Sequence, residues 1–396
     1  MIKHLLKLVW NRKRANALIV AEIFFSFLVL FAVLAASISY ATRWNQPLGY
    51  QWKNVWDVSM EFDIDAGEKA DPALIAAMFR MIDEAKSFPE VAAAGISNTP
   101  AYSFSTSEGT RRINNRDVNM KLDDVSDGFA EVMQMKVIRG RWFNAEDDAS
   151  TYWPVVLGAD LAEQIYGDAN PIGQKIDESD TLTHIVVGVV ETYRKDGEVA
   201  GPDNMMFRRI SPNGKYGRLG SHLLVRVNPG VPADFEQTLA TRLEQVMPNV
   251  SFRVRYMERM RTNMIRTRIA PVVLGGIVGG FLIVMVGLGL TGVLWQSVTR
   301  RTREIGLRRA MGASGPSVHR QILGEVALLA TMAVIAGSIV ILQLPILGAF
   351  KLVTPAAFTL GFIGALATIY ALTVLCGLYP SWLASRLTPA DALRYE

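Results

Sequence analysis

Few residues of this chain are of a type and spacing that could do chemistry. Between Thr299 and Ser314 it reads TRRTREIGLRRAMGAS, where Arg300, Arg301, Arg303, Arg308 and Arg309 stand against Glu304 alone. The guanidinium is a planar fork of donors suited to bidentate contact with carboxylates. Gly306 and Gly312 would let a partner's backbone come close. This is the chemistry of docking, and the plainer reading of the same arginines is an anchor at a membrane surface. Glu22 and Glu325 interrupt otherwise apolar runs. An ionisable group in such a run is a functional suspect by default. Both sit a few residues from an end of the run, which favours an interfacial or helix-pairing role over a proton relay. Gly275, Gly276, Gly279 and Gly280 have the small-xxx-small spacing of a helix–helix seam, or simply the glycine enrichment common in spans.

The rest argues against catalysis. His4, His184, His222 and His319 lack ligand spacing, and Cys376 has no second cysteine to pair with. No Ser-His-Asp or Cys-His set stands out, so no catalytic, metal or cofactor residue is assigned. No G-x-x-x-x-G-K-[ST] phosphate loop occurs in these residues either.

The elements that must carry these residues are set by hydropathy. Apolar runs cover residues 17–41, 269–298, 321–350 and 351–384, each longer than the about 20 residues a spanning helix needs. The second, at ~1.5 Å per residue, would exceed a ~30 Å hydrocarbon core and serve as a stalk. Lys3, Lys7, Arg12, Lys13 and Arg14 precede the first run, the arginine segment at 299–320 follows the second, and Arg386 and Arg394 follow the fourth. With four spans, and only Lys351 between the last two, all basic flanks fall on one side, the cytoplasm. Residues 1–16 read as a cytoplasmic interfacial helix and 385–396 as a cytoplasmic tail. A cleavable leader is the competing reading of the N-terminus. The first run exceeds an h-region of about 7–15 residues, and Glu22 would be foreign to one. Residues 42–268 then lie outside the cytoplasm. Acids outnumber bases there, so the basic balance of the whole chain reports topology and excludes nucleic acid as the natural partner.

The outer region reads as an α+β domain. Val55 to Ile64 alternates as a strand, and Asp71-Pro72 opens a helix to Lys86. Strands are expected at 91–96, 154–157, 173–176, 184–190, 221–227 and 251–256, and helices at 159–166 and 231–247. Two such blocks flank a polar stretch, so an insertion subdomain is expected at about 97–130. Gly197 to Gly220, dense in Gly, Pro, Asn and Arg, reads as a long mobile loop. Trp142, Phe143, Met205, Met206 and Phe207 read as core. The fold class is an α-helical membrane protein with four transmembrane helices and a large α+β extracytoplasmic domain inserted between helices 1 and 2.

The Thr299–Ser314 segment resembles the signature of the FtsX/MacB-type (type VII, mechanotransmission) ABC transporter permeases. YPSWLASRLTPADALRYE at Tyr379–Glu396 is similar to the closing motif of that family. VMQMKVIRGRWFNAEDD, VVLGADLAEQIYGDANPIGQKI and HIVVGVVETYRKDG, beginning at Val132, Val155 and His184, resemble its periplasmic core domain. The resemblance implies an inner-membrane permease with cytoplasmic termini and a periplasmic domain. It implies an ABC ATPase on a separate chain, binding ATP and Mg and docking on Arg303, Glu304, Gly306, Arg308, Arg309 and Gly312. It further implies a second permease chain, identical or paralogous, and a periplasmic adaptor leading to an outer-membrane channel. The expected function is efflux of a periplasmic substrate such as a drug or peptide. The alternatives are FtsX-like regulation of a cell-wall hydrolase and lipoprotein release.

Overall fold

A computed structural model describes residues 13–62, 72–113, 116–176, 183–216, 220–248, 250–300, 315–347 and 353–386, together with Leu307 and Met311. The chain divides into two compact units, one of residues 43–268 and one that gathers residues up to 42 with those from 269 onward.

The second of these is helical. Four described helices are long and apolar enough to cross a membrane: α1 (Lys13–Trp44), α6 (Met257–Arg300), α7 (Gly315–Gln343) and α8 (Pro355–Arg386). Ile19, Ile23, Phe27, Phe31 and Ala35 recur every four residues along α1 and form a continuous ridge. They meet Val286, Leu290 and Leu294 of α6, Ala330 and Ala333 of α7, and Ala365 and Ile369 of α8. Small residues let backbones approach, which is where spanning helices gain their packing. A Cβ on Gly361 would lie 2.8 Å from the Ala35 backbone, and one on Gly337 would lie 2.6 Å from the Phe27 ring. The third apolar run is helical only as far as Gln343, followed by turns to Leu347.

Residues 43–268 build one ten-stranded sheet. Its strands are β1 (Val55–Glu61), β2 (Val91–Ser97), β3 (Glu108–Ile113), β4 (Arg116–Val125), β5 (Val137–Gly140), β6 (Trp153–Gly158), β7 (His184–Val190), β8 (Met205–Arg209), β9 (His222–Val227) and β10 (Ser251–Tyr256). The order is β10-β1-β9-β2-β4-β8-β6-β7-β5, with β3 hanging on β4 as a hairpin. The first four strands are all antiparallel, and one face is covered by α2 (Pro72–Lys86) and α5 (Phe235–Val246). Ile75, Met78, Ile82 and Ala85 give α2 its helical stripe, worth roughly 1.5–3 kcal/mol for each large side chain fully buried. The other half pairs β4 with β8 and β6 with β7 in parallel, beneath α4 (Ala159–Tyr166). A shared core joins the halves: Val55 and Leu224 from the first, Val156, Met205 and Phe207 from the second, and Phe129 and Met133 from the short helix α3 (Phe129–Met133).

Three expectations need correction. The insertion is not a subdomain at 97–130. Everything from β3 to β8 lies between the neighbouring strands β2 and β9 in sequence, and these six strands are more than half of the ten-stranded sheet. The halves meet in register only at Ser97 and Val125. The Gly197–Gly220 stretch is not one loop, because it contains β8, whose five residues are all buried between β4 and β6. The segment 173–176 contributes a single bridge, Lys175 to Ile185, since Gly173 turns at φ +81° and interrupts any ladder. The core reading of Phe143, Met205, Met206 and Phe207 agrees with their burial.

Candidate functional site

The arginine-rich connector joins α6, which ends at Arg300, to α7, which starts at Gly315. Its candidate docking residues Arg303, Glu304, Gly306, Arg308, Arg309 and Gly312 lie outside the described residues. Leu307 and Met311 are described, and the Met311 N–H donates to the Leu307 carbonyl at 3.0 Å, closing one helical turn. Their side chains are 59% and 74% exposed. Two apolar side chains at i and i+4 share one face, and in the sequence the flanking arginines outweigh them.

On α6 the structure divides the four glycines into two pairs. Gly275 and Gly279 face α1, where an added Cβ would come within 3.0 Å of Val33 and 3.5 Å of Val29. Gly276 and Gly280 face open space, with nothing within 4 Å of an added Cβ. They lie among Val273, Ile277, Phe281, Val284 and Leu288, all exposed. One pair therefore seats a helix of the same chain and the other opens a groove on the uncovered face. Of the intramembrane carboxylates, Glu22 is half-buried and fills the notch at Gly289, where a Cβ would lie 3.0 Å from its Oε2. Glu325 is half-buried on α7.

The most charged arrangement appears where sequence reading expected none, at the start of α6. This helix begins at Met257, straight out of β10, well before the apolar run at 269. Met257, Met260 and Met264 hold its first turns in the core of the sheet domain. Arg261 Nε donates to Glu198 Oε1 at 2.6 Å, and Arg268 Nη2 donates to Asp196 Oδ2 at 2.6 Å. Both carboxylates are 9% exposed. They belong to the segment 191–204 that connects β7 to β8. Arg194 there is fully buried, and its Nη1 and Nη2 donate to the carbonyls of Arg43, Gln46, Glu198 and Ala200. Lys195 Nζ donates to the Ser103 carbonyl at 2.8 Å, and burial pushes its ammonium below the usual lysine range. Burial raises the phenols of Tyr50 and Tyr193, whose rings pack at a tilt with centroids 5.0 Å apart.

A second buried carboxylate joins the halves of the sheet. Asp123 accepts from the Ser97 hydroxyl at 2.7 Å and from the Asn98 and Thr99 N–H groups at 2.9 Å each. Burial pushes its pKa up to about 6 against the pull of those donors. Among the described residues no group of three or more His, Cys, Asp or Glu is placed to hold a metal ion.

These features define a multi-pass membrane protein with a folded α+β domain between its first and second spans, and with ion pairs to buried carboxylates inside that domain, made by the first turns of α6. Residues 25–263 match the MacB-like periplasmic core domain, and residues 276–389 match the FtsX-like permease C-terminal domain. The chain belongs to this family of MacB/FtsX-type permeases, the membrane component of ABC transporters, held in the inner membrane by several spans with the α+β domain in the periplasm. It is 27% identical over 297 residues to the macrolide export ATP-binding/permease protein MacB of Marinobacter nauticus, covering 72% of this chain and 45% of that one. With the same protein of Burkholderia thailandensis it shares 28% identity over 291 residues, 71% of this chain and 44% of that one. The chain thus spans under half the length of these relatives. The crystal structure of the periplasmic region of MacB from Actinobacillus actinomycetemcomitans aligns with 56% of this chain and 97% of its own, at 13% identity and a TM-score of 0.39.

Proposed function

We propose that this chain is the permease of a separate ABC ATPase and couples ATP hydrolysis on the cytoplasmic side to movement of its periplasmic domain. The observation that carries this reading is the continuity of α6. Its 44 residues run unbroken from ion pairs inside the α+β domain, through an apolar span, to the arginine-rich connector. At ~1.5 Å per residue such a helix is about 66 Å long, longer than a ~30 Å hydrocarbon core, as a push-rod must be. Pro271 sits inside it and leaves the Thr267 carbonyl without its helical N–H partner, a weak point at which the rod can flex.

In this account both termini are cytoplasmic, and the ATPase, which holds ATP and Mg, docks on Arg303, Glu304, Gly306, Arg308, Arg309 and Gly312. Exposed Leu307 and Met311 supply an apolar knob among those charges. A second permease chain, identical or paralogous, packs on the open α6 face at Gly276 and Gly280. Gly275 and Gly279, which seat α1, hold the protomer together. Glu22, fitted against Gly289, pairs helices, and Glu325 is assigned the same role. The process we favour is efflux of a periplasmic substrate through an adaptor and an outer-membrane channel, which agrees with the macrolide export named for the relatives.

The test is a mild-detergent pull-down of the tagged chain with mass spectrometry of what it retains. An ABC ATPase with a periplasmic adaptor is expected. An ATPase with a cell-wall hydrolase, or with a lipidated protein bound at the permease seam, would replace efflux by regulation or lipoprotein release.

A further inference from the structure

The helix α6 is joined to the sheet in two different ways. Covalently it continues β10, the edge strand of the antiparallel half. To the other half, β4-β8-β6-β7-β5, it has no such peptide continuity, because the chain leaves that half through β8 and re-enters the first at β9. The link to that half is side-chain chemistry.

We propose that the segment Thr192–Asn204 is a strap that ties α6 to the second half of the sheet, so that displacement of α6 reaches both halves together. The inference rests on the reading of α6 as the moving element. The strap's ends are fixed to central strands, since it follows β7 and leads directly into β8. Its carboxylates Asp196 and Glu198 hold Arg268 and Arg261, two turns apart on one side of α6. Asp203 and Asp196 also hold Lys121 of β4, at 2.7 and 3.3 Å. Asp196 thus bridges α6 and the second half through a single side chain. Without Arg261 the buried Glu198 loses its ion pair, and without Arg268 Asp196 is left to Lys121 and, at 3.9 Å, Lys195, so pulling α6 away from the strap is opposed more strongly than moving the two as one body.

The backbone supports the same role. The chain following α1 crosses the strap so closely that a Cβ on Gly49 would fall on the Thr192 carbonyl. Gly197 turns at φ +84° against the Tyr102 ring, 2.5 Å from where its Cβ would be. Both places demand glycine, and the strap has no room to shift alone. Arg194 anchors it to the carbonyls of Arg43 and Gln46, so the exit of α1 is gripped as well. The buried Glu198 Oε2 and Tyr193 hydroxyl find no hydrogen-bond partner among the described residues, which leaves acceptor and donor capacity for a second arrangement of the same groups.

The experiment uses the full chain in lipid nanodiscs, with Cys376→Ser and pairs of spin labels read by pulsed electron resonance. One pair joins exposed Arg266 of α6 to exposed Arg139 of β5 in the second half. A control joins Arg266 to exposed Glu244 of α5 in the first. In the native sequence both pairs should give a single narrow distance peak. With Arg261→Ala and Arg268→Ala the first pair should lose its narrow peak while the control keeps it. The conservative variant Arg261→Lys with Arg268→Lys, which keeps a cation facing each carboxylate, should retain much of the narrow peak, which guards against simple misfolding. An unchanged first pair, or equal broadening of both pairs, would overturn the strap. The proposed function fails separately: there, the native complex purified with its ATPase would show no response to ATP, whatever the distance peaks report.

Discussion

Asp123 offers the sharpest quantitative test of how the sheet is held together. Its carboxylate is fully buried, and three donors of the β2 end converge on it beside the single register contact between the halves. Asp123→Ala removes the acceptor and strands the three donors. At about 1–3 kcal/mol for each buried group left unsatisfied, the loss should be roughly 3–6 kcal/mol, allowing for partial relaxation. Asp123→Asn keeps the shape and one acceptor, and the Ser97 hydroxyl can turn to accept from the new amide, so its cost should be about 1–2 kcal/mol. The two variants also differ in how stability responds to pH. The folded pKa of Asp123 is raised to about 6 from an ordinary 3.8. Its contribution is therefore fully favourable below the unfolded value and is lost as pH rises through 6. At 1.36 kcal/mol per unit the full loss is about 3 kcal/mol, of which roughly half falls between pH 5 and pH 8. Asp203, raised by burial, acts in the same direction and remains in both variants. Denaturant titration of the full chain in detergent, followed by tryptophan fluorescence at the two pH values, reads both effects. Asp123→Asn should flatten the loss of stability with rising pH by about 1–2 kcal/mol. An equal pH response in the native chain and Asp123→Asn, or a loss below ~1 kcal/mol in Asp123→Ala, would refute the reasoning.

Three further outcomes are expected. Arg226 is buried and donates to the carbonyls of Val132, Lys53 and Gln51 at 2.6, 2.9 and 2.6 Å, so Arg226→Met should cost about 3–5 kcal/mol in the same titration, and Arg226→Lys should recover less than half. Gly361→Leu forces a side chain onto the Ala35 backbone, 2.8 Å from the position of its Cβ, and should lower the thermal midpoint in detergent by several degrees. Gly361→Ala should have a smaller effect in the same direction. On a Cys376→Ser background, Gly280→Cys should form an intermolecular disulfide in membranes under mild oxidation, whereas Gly279→Cys, turned toward Val29 of its own chain, should not.

The spanning helices were legible because a bilayer imposes a simple requirement, about 20 apolar residues in a row, and nothing in the sequence contradicts it. The strands β1, β2, β6, β7, β9 and β10 and the helices α2, α4 and α5 were legible through periodicity and, for α2 and α5, proline starts. Other features were hidden for particular physical reasons. The first turns of α6, MERMRTNMIRTR, fall before the apolar run at 269, where hydropathy assigns no element; their helix is fixed by Met257, Met260 and Met264 in the core and by two arginines paired with acids far away in sequence. In the run YRKDGE, from Tyr193 to Glu198, consecutive charges look like a solvated turn. Arg194 and Lys195 are nevertheless buried, because carbonyls of Arg43, Gln46 and Ser103 arrive from distant segments. β8 was masked by its Gly- and Pro-rich flanks, and tertiary pairing on both sides overrides that local signal. In the connector the arginines dominate the sequence pattern, and the exposure of Leu307 and Met311 is set by the fold rather than by local sequence.

The central claim, that a separate ATPase docks on the connector after α6, is tested most directly by purifying the tagged chain from its native membrane and measuring retained ATPase. The comparison is between the native sequence and Arg308→Glu with Arg309→Glu. The account predicts an ABC ATPase in equal amount with the native chain and its loss in the variant, with the variant still inserted and folded. Equal retention by both would contradict docking at these arginines, and no ATPase with the native chain under conditions that keep the complex intact would contradict the account itself.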